Sequence, residues 1–279
     1  MESSYKSTVV QDAAGSFFYF KWSDLFLTEK PYVMFVDVPE GFPTTNYESE
    51  QGPRETVRNI RGHKGKFSLD SHGFAIRNHV LNMSVTDEET VQKLYLPSFE
   101  KFLKDEVGHD CTVLWFDWRI RTSDSSKTTL PPGTKVKLDD KSLPLAPIRS
   151  AHVDHTEQAV WDRVRRHTGA ASEQLLKGRV RVINVWRPLW NNVEEFPLAV
   201  CDGSSVPNNK LVEIDVVRQS YAGGIYNLLP YDGYRWYFLE KQTPDELLLM
   251  KMYDSSTDVD AKCERLQLMQ LEEPVLTDV

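Results

Sequence analysis

Short apolar runs of β-branched and aromatic residues recur along the chain, each closed by a turn-forming cluster, and only two stretches carry a helical period. A chain with that rhythm cannot build a helical bundle or a regular strand–helix alternation. It suits a mainly β fold, a sandwich or jelly roll with helices packed outside. Residues 17–22, 31–38, 111–123, 179–189, 197–203 and 210–219 read as strands. Residues 60–79 read as two short strands about a turn near Asp70–Gly73, and 225–240 as a hairpin turning at Asp232–Gly233. Residues 243–255 read as a turn followed by a buried strand, and the polar, Pro/Gly-rich stretch 39–55 as a loop.

The first helix is expected over 86–108, with Thr86 and Glu89 as a capping box, Gly108 as its stop and Pro97 as a kink or split. The second is expected over 156–169, from a Thr156 cap to Gly169. Residues 124–147 read as a long irregular connection, a lid or a partly disordered loop. Neither side of it looks complete alone, so 1–279 is expected to be a single domain.

Thirty-three basic against 41 acidic residues leave a net charge of −8, which argues against nucleic acid and anionic membrane as partners. No apolar run approaches the roughly 18–20 residues that span a bilayer, and the N-terminus lacks the pattern of a signal peptide. The three cysteines, Cys111, Cys201 and Cys263, are far apart and form no CxxC. Buried thiols in a reducing, cytoplasmic setting are expected. There is no GxSxG elbow, no P-loop, and no GxGxxG after a strand.

The chemistry concentrates in "SAHVDHTEQAV", residues 150–160. On a strand, His152 and Asp154 project to one face and Val153 to the other. An imidazole and a carboxylate on one face are two members of the two-His-one-carboxylate triad that holds non-haem Fe(II). The same spacing also occurs as plain polar residues on a strand.

Longer stretches add to this: "RGHKGKFSLDSHGF" (61–74), "FDWRIR" (116–121), "AHVDHT" (151–156), "GRVRVINVWRPLWNNVEEFPLAVCDGSSV" (178–206) and "YRWYFLEKQTPDELLLMKMYDS" (234–255). Over roughly residues 30–255 the chain resembles the GA4 desaturase/AsaB/CmcJ-like family of non-haem Fe(II), 2-oxoglutarate-dependent oxygenases. The resemblance implies a double-stranded β-helix (jelly roll) with flanking helices. It implies Fe(II) and 2-oxoglutarate as cofactors, and hydroxylation or desaturation of a small molecule of secondary metabolism. By position, His152 and Asp154 match the first two iron ligands. Arg187, Tyr234, Trp236 and Tyr237 match motif positions near the pocket. The bland alternatives are an ion pair of Arg187 with Glu194 or Asp202, and core packing for Trp186, Trp236 and Tyr237.

The pattern departs after Asp254–Ser255. The family carries its third ligand, a histidine, downstream, followed by an arginine for the 2-oxoglutarate carboxylate. Here no histidine follows His167, and Arg265 is the only arginine of the tail. The tail reads as unrelated sequence, with 264–276 a strand or a short helix, so the closing strands are expected to be missing or replaced. His63, His72, His79, His109, His155 and His167 remain as candidate third ligands. Gly224 and Tyr234 replace an acidic residue and a histidine common in the family. A catalytically inactive jelly-roll ligand-binding relative is the alternative reading.

Overall fold

Alternation of buried and half-exposed residues sets the first strand, β1 (Ala13–Phe20), whose Ala13, Phe17 and Tyr19 turn inward. The computed structural model describes residues 10–85, 87–128, 140–141, 143–219 and 221–261, together with the backbone of 268–270 and 275–276. Thr86, most of 129–142, Cys263 and Arg265 lie outside the described residues. The described chain forms two compact units, 1–78 with 148–279, and 79–147.

The first unit holds two sheets. Its strands are β1, β2 (Tyr32–Phe35), β3 (Ser49–Asn59), β4 (Phe74–Asn78), β5 (His152–Val153), β6 (Arg181–Trp186), β7 (Leu198–Cys201), β8 (Leu211–Arg218), β9 (Ala222–Leu228), β10 (Trp236–Phe238), β11 (Glu246–Asp254), β12 (Leu268–Gln270) and β13 (Val275–Leu276). Ten of them form a large sheet in the order β13-β1-β3-β10-β7-β12-β5-β9-β8-β2, and β4-β11-β6 form a small one. All nine residues of β11 are buried, as its "ELLLMKMYD" run anticipates for a strand covered on both faces.

Register identifies the inner face of each sheet. In the small sheet Met250 pairs with both Asn184 and Phe74. The Phe74 ring lies 5.7 Å from Tyr237 of the large sheet, and Phe67 stacks on Phe74 at 4.9 Å. The row through Asn184, Met250 and Phe74 therefore faces the row through Tyr237. A second core lies on the far face of the large sheet, around Phe17, Tyr19, Ala199, Cys201, Trp236 and Phe238.

Several expected elements differ. Residues 49–55, expected as loop, belong to β3, because Ser49 to Val57 ladder against β1 in antiparallel register. The first of two strands expected within 60–79 is instead a 3₁₀ turn and the helix α1 (Leu69–His72). Ser68 caps that helix by accepting from the Ser71 N–H, and Gly73 ends it at φ 83°. The hairpin expected over 225–240 is not one: β9 pairs with β5 and β8, while β10 pairs with β3 and β7. Asp232–Gly233 is a turn, but it leads to a distant place in the sheet. In the tail, β12 lies between β7 and β5, and β13 pairs with β1, so strands occupy the expected closing positions.

The second long helix forms as expected: α5 (Glu157–Thr168) runs from the Thr156 cap to Gly169. A further turn, α6 (Ser172–Leu175), follows.

In the second unit the helical stretch is α2 (Glu88–Thr90), a π-turn at Val91–Tyr95, and α3 (Leu96–Val107). Asp87 caps it, its carboxylate accepting from the Thr90 N–H at 2.7 Å. Pro97 sits in the first turn of α3, and its missing N–H is accommodated by the wider turn ahead of it. A short turn, α4 (Ser125–Thr128), follows. Residues 111–123, expected as a strand, bridge only at Arg121 with Leu145 among the described residues. Strand propensity without a partner ladder leaves extended but irregular chain.

Candidate metal centre

His152 lies on β5 and Asp154 just beyond its end, while Val153 between them is fully buried on the other side. The side chains meet: His152 Nε2 is 3.3 Å from Asp154 Oδ1. The backbone carbonyl of Ser150 is an acceptor only, so His152 Nδ1 donates to it, at 2.8 Å. In the neutral ring that bond fixes the tautomer and leaves Nε2 as the nitrogen with a lone pair. The other carboxylate oxygen, Asp154 Oδ2, accepts from Asn184 Nδ2 of β6 at 2.5 Å.

Burial alone would raise the Asp154 pKa. When His152 is protonated its Nε2–H donates to Oδ1 and, with the charge of His155 and the Asn184 amide, overcomes burial and holds the carboxyl well below the usual carboxylate range. Asp154 is therefore ionised at neutral pH, and a third of its side chain still reaches solvent.

Asn227 of β9 is the register partner of His152 and shares its face. It is buried and hydrogen-bonds Tyr47, whose hydroxyl is raised by burial and only partly drawn back by that bond. Val200 pairs with Tyr237 and takes the same register position across β12 as His152 does, so Tyr237 and His152 point to one side.

Trp236 points to the opposite side. Its ring packs on Phe17 at 4.3 Å, and its Nε1 donates to Glu55 Oε2 at 3.0 Å. Tyr234 belongs to the same far-face core, stacked on Tyr19, with its hydroxyl donating to the Leu229 carbonyl. The structure thus brings His152 and Asp154 together and places Tyr234 and Trp236 away from them. Arg187 is buried one residue beyond β6. One of its two expected carboxylate partners, Asp202, accepts from Arg235 and Ser204.

Gly224 sits against the cap of α5. An added Cβ would meet Thr156 Oγ1 at 2.7 Å, and Thr156 N–H donates to the Gly224 carbonyl.

The donor set fits iron through two protein ligands, an imidazole nitrogen and an ionised carboxylate oxygen that converge and are each held from behind. Among the described residues no third His, Cys, Asp or Glu joins them. His72 is hydrogen-bonded to Ser71 and set against Phe67, and within the second unit His79 stacks on Phe99. Asn184 and Asn227 were not singled out in the sequence. Each is a lone amide within an apolar strand, "RVINVW" and "AGGIYNL", and that interruption was the available signal.

The model of the family described as oxidoreductase/YMDC permease-like domain matches residues 17–266. The chain is 29% identical to the hydroxylase/desaturase efuI of Hormonema carpetanum over 222 residues, covering 72% of each chain. It is 29% identical to the alpha-ketoglutarate-dependent dioxygenase tstK of Talaromyces stipitatus, over 71% of this chain and 70% of that one. The solved structure of the iron and alpha-ketoglutarate-dependent endoperoxidase NvfI superposes with a TM-score of 0.77 at 21% identity, covering 96% of this chain and 93% of that one. The shared fold is mainly β, a jelly roll with flanking helices.

Proposed function

Because the chain belongs to the oxidoreductase/YMDC permease-like domain family, we propose that it is a non-haem iron, 2-oxoglutarate-dependent hydroxylase or desaturase of a small molecule of secondary metabolism. The observation that carries this reading is the convergence of His152 Nε2 and Asp154 Oδ1 on the inner face of the large sheet. Similarity to efuI and tstK, named for hydroxylase/desaturase and alpha-ketoglutarate-dependent activity, supports the cofactor pair and the reaction class.

His152 and Asp154 would hold the metal. When bound, iron would let O2 act as the oxidant that removes a hydrogen from the substrate, with 2-oxoglutarate as the co-reductant that is decarboxylated to succinate. The chain's own part is to hold the two donors in place through Ser150 and Asn184 and to keep Asp154 ionised. Phe74, Met250 and Tyr237 supply apolar and aromatic surface where the two sheets face each other, and a largely apolar substrate would suit such surroundings. No helix among the described residues is long and apolar enough to cross a membrane. A cytoplasmic location accords with the spaced cysteines.

Succinate release from 2-oxoglutarate, measured with Fe(II) and oxygen, tests the proposal. The native chain should form succinate, and His152→Ala and Asp154→Ala should lose it. A native chain that binds 2-oxoglutarate but never forms succinate would instead be the inactive ligand-binding relative.

A further inference from the structure

The two candidate ligands stand on the large sheet, but the atom that orients one of them comes from the small sheet. Asp154 has two carboxylate oxygens with different surroundings. Oδ1 faces His152 Nε2 at 3.3 Å, and Oδ2 accepts from Asn184 Nδ2 at 2.5 Å. A carboxylate is an acceptor only, so the Asn184 amide nitrogen must be the donor, and the contact is charge-assisted. Asn184 is itself placed by β6, where it pairs with Met250 of the fully buried β11. Its position is therefore fixed by the packed sheet rather than by a loop.

We propose that Asn184 is a positioning residue of the metal site. It holds Oδ2 so that Oδ1 alone is presented beside His152 Nε2, as the oxygen that would hold the metal. This inference rests on the reading of His152 and Asp154 as ligands. With the amide removed, the Asp154 side chain is free to rotate about its two torsions and to offer either oxygen or both. Loss of an outer hydrogen-bond partner of this kind typically weakens metal binding about 10–100-fold.

The test uses the full chain and Co(II), whose visible d–d bands report the ligand arrangement. Native chain, Asn184→Leu and His152→Ala are titrated with Co(II), and the thermal midpoint of each metal-free chain is recorded. The expected result is Co(II) binding by the native chain and none by His152→Ala. Asn184→Leu should bind about 10–100-fold more weakly, with altered d–d bands and a native-like melting midpoint. Where the leucine chain does not fold, Asn184→Ala takes its place under the same readings. An Asn184 variant with native affinity and native bands would overturn the positioning role while leaving the ligand pair intact. A native chain that binds no Co(II) would overturn the ligand pair, and this inference with it.

Discussion

Arg179 grips Asp254 with two parallel hydrogen bonds, from Nε to Oδ1 at 2.8 Å and from Nη2 to Oδ2 at 2.6 Å. Lys251 adds a third donor at 2.8 Å, and both Lys251 and Asp254 are almost wholly inaccessible. Burial would raise the Asp254 pKa, but the Arg179 and Lys251 bonds, with the Ser256 N–H, bring it down to about 2. The folded value lies below the unfolded one, near 4. The stabilisation is therefore complete above that unfolded value and is lost as pH falls through about 2. It amounts to about 2 kcal/mol. Urea unfolding between pH 7 and pH 2 should show this loss, and Asp254→Asn should flatten it. At pH 7 the same variant should cost up to about 3–5 kcal/mol, because it removes the nearer counter-charge of the buried Lys251 and leaves only Asp70, at 3.5 Å.

Glu246 offers an independent check at the other end of β11. It pairs with Arg61 at 2.5 Å and Lys64 at 2.6 Å and accepts from the Thr243 N–H. Against the raising effect of burial, these partners hold its carboxyl at about 2. Its contribution has the same sign and is lost as pH falls from about 4 to about 2. Glu246→Gln should remove part of the acid sensitivity, and combined with Asp254→Asn the two effects should add, since the sites share no partner. A shortfall in the double variant would show that the two ends of the strand are coupled.

Trp236 and Tyr237 are adjacent, yet they serve opposite faces of the large sheet. Trp236→Phe should lose the bond to Glu55 and leave a small void beside Phe17, costing about 1–3 kcal/mol in denaturant unfolding. Metal affinity in that variant should stay native. Tyr237→Ala should alter small-molecule binding between the sheets. A Trp236→Phe chain with native stability and weakened metal binding would contradict the assignment of faces.

Gly224→Ala would push a methyl group into Thr156 at the start of α5. An overpacking cost of about 1–3 kcal/mol is expected. The loss should be visible as a lower thermal midpoint, with the larger Gly224→Asp falling further. An unchanged midpoint for both would mean that the α5 cap gives way at no cost.

Local pattern carried much of this from the sequence. The i, i+2 spacing put His152 and Asp154 on one face, and the Thr156 cap set the start of α5. The apolar run of β11 declared its burial. Pairing was another matter. The Asp232–Gly233 turn suggested a hairpin, but β9 and β10 take their ladders elsewhere, and no local signal records a partner that lies far along the chain. The far-face placement of Trp236 follows from that pairing, since a shift of one residue exchanges the faces of a strand. Asn184 escaped notice because its role depends on a contact 30 residues distant in sequence.

His152 and Asp154 stand or fall together as the protein's metal ligands. Anaerobic Fe(II) addition with and without 2-oxoglutarate, followed by visible absorption beside a His152→Ala control, tests that assignment most directly. The expected result is a charge-transfer band that appears only with both additions and vanishes in the variant. No band and no measurable Fe(II) binding by the native chain would contradict the assignment.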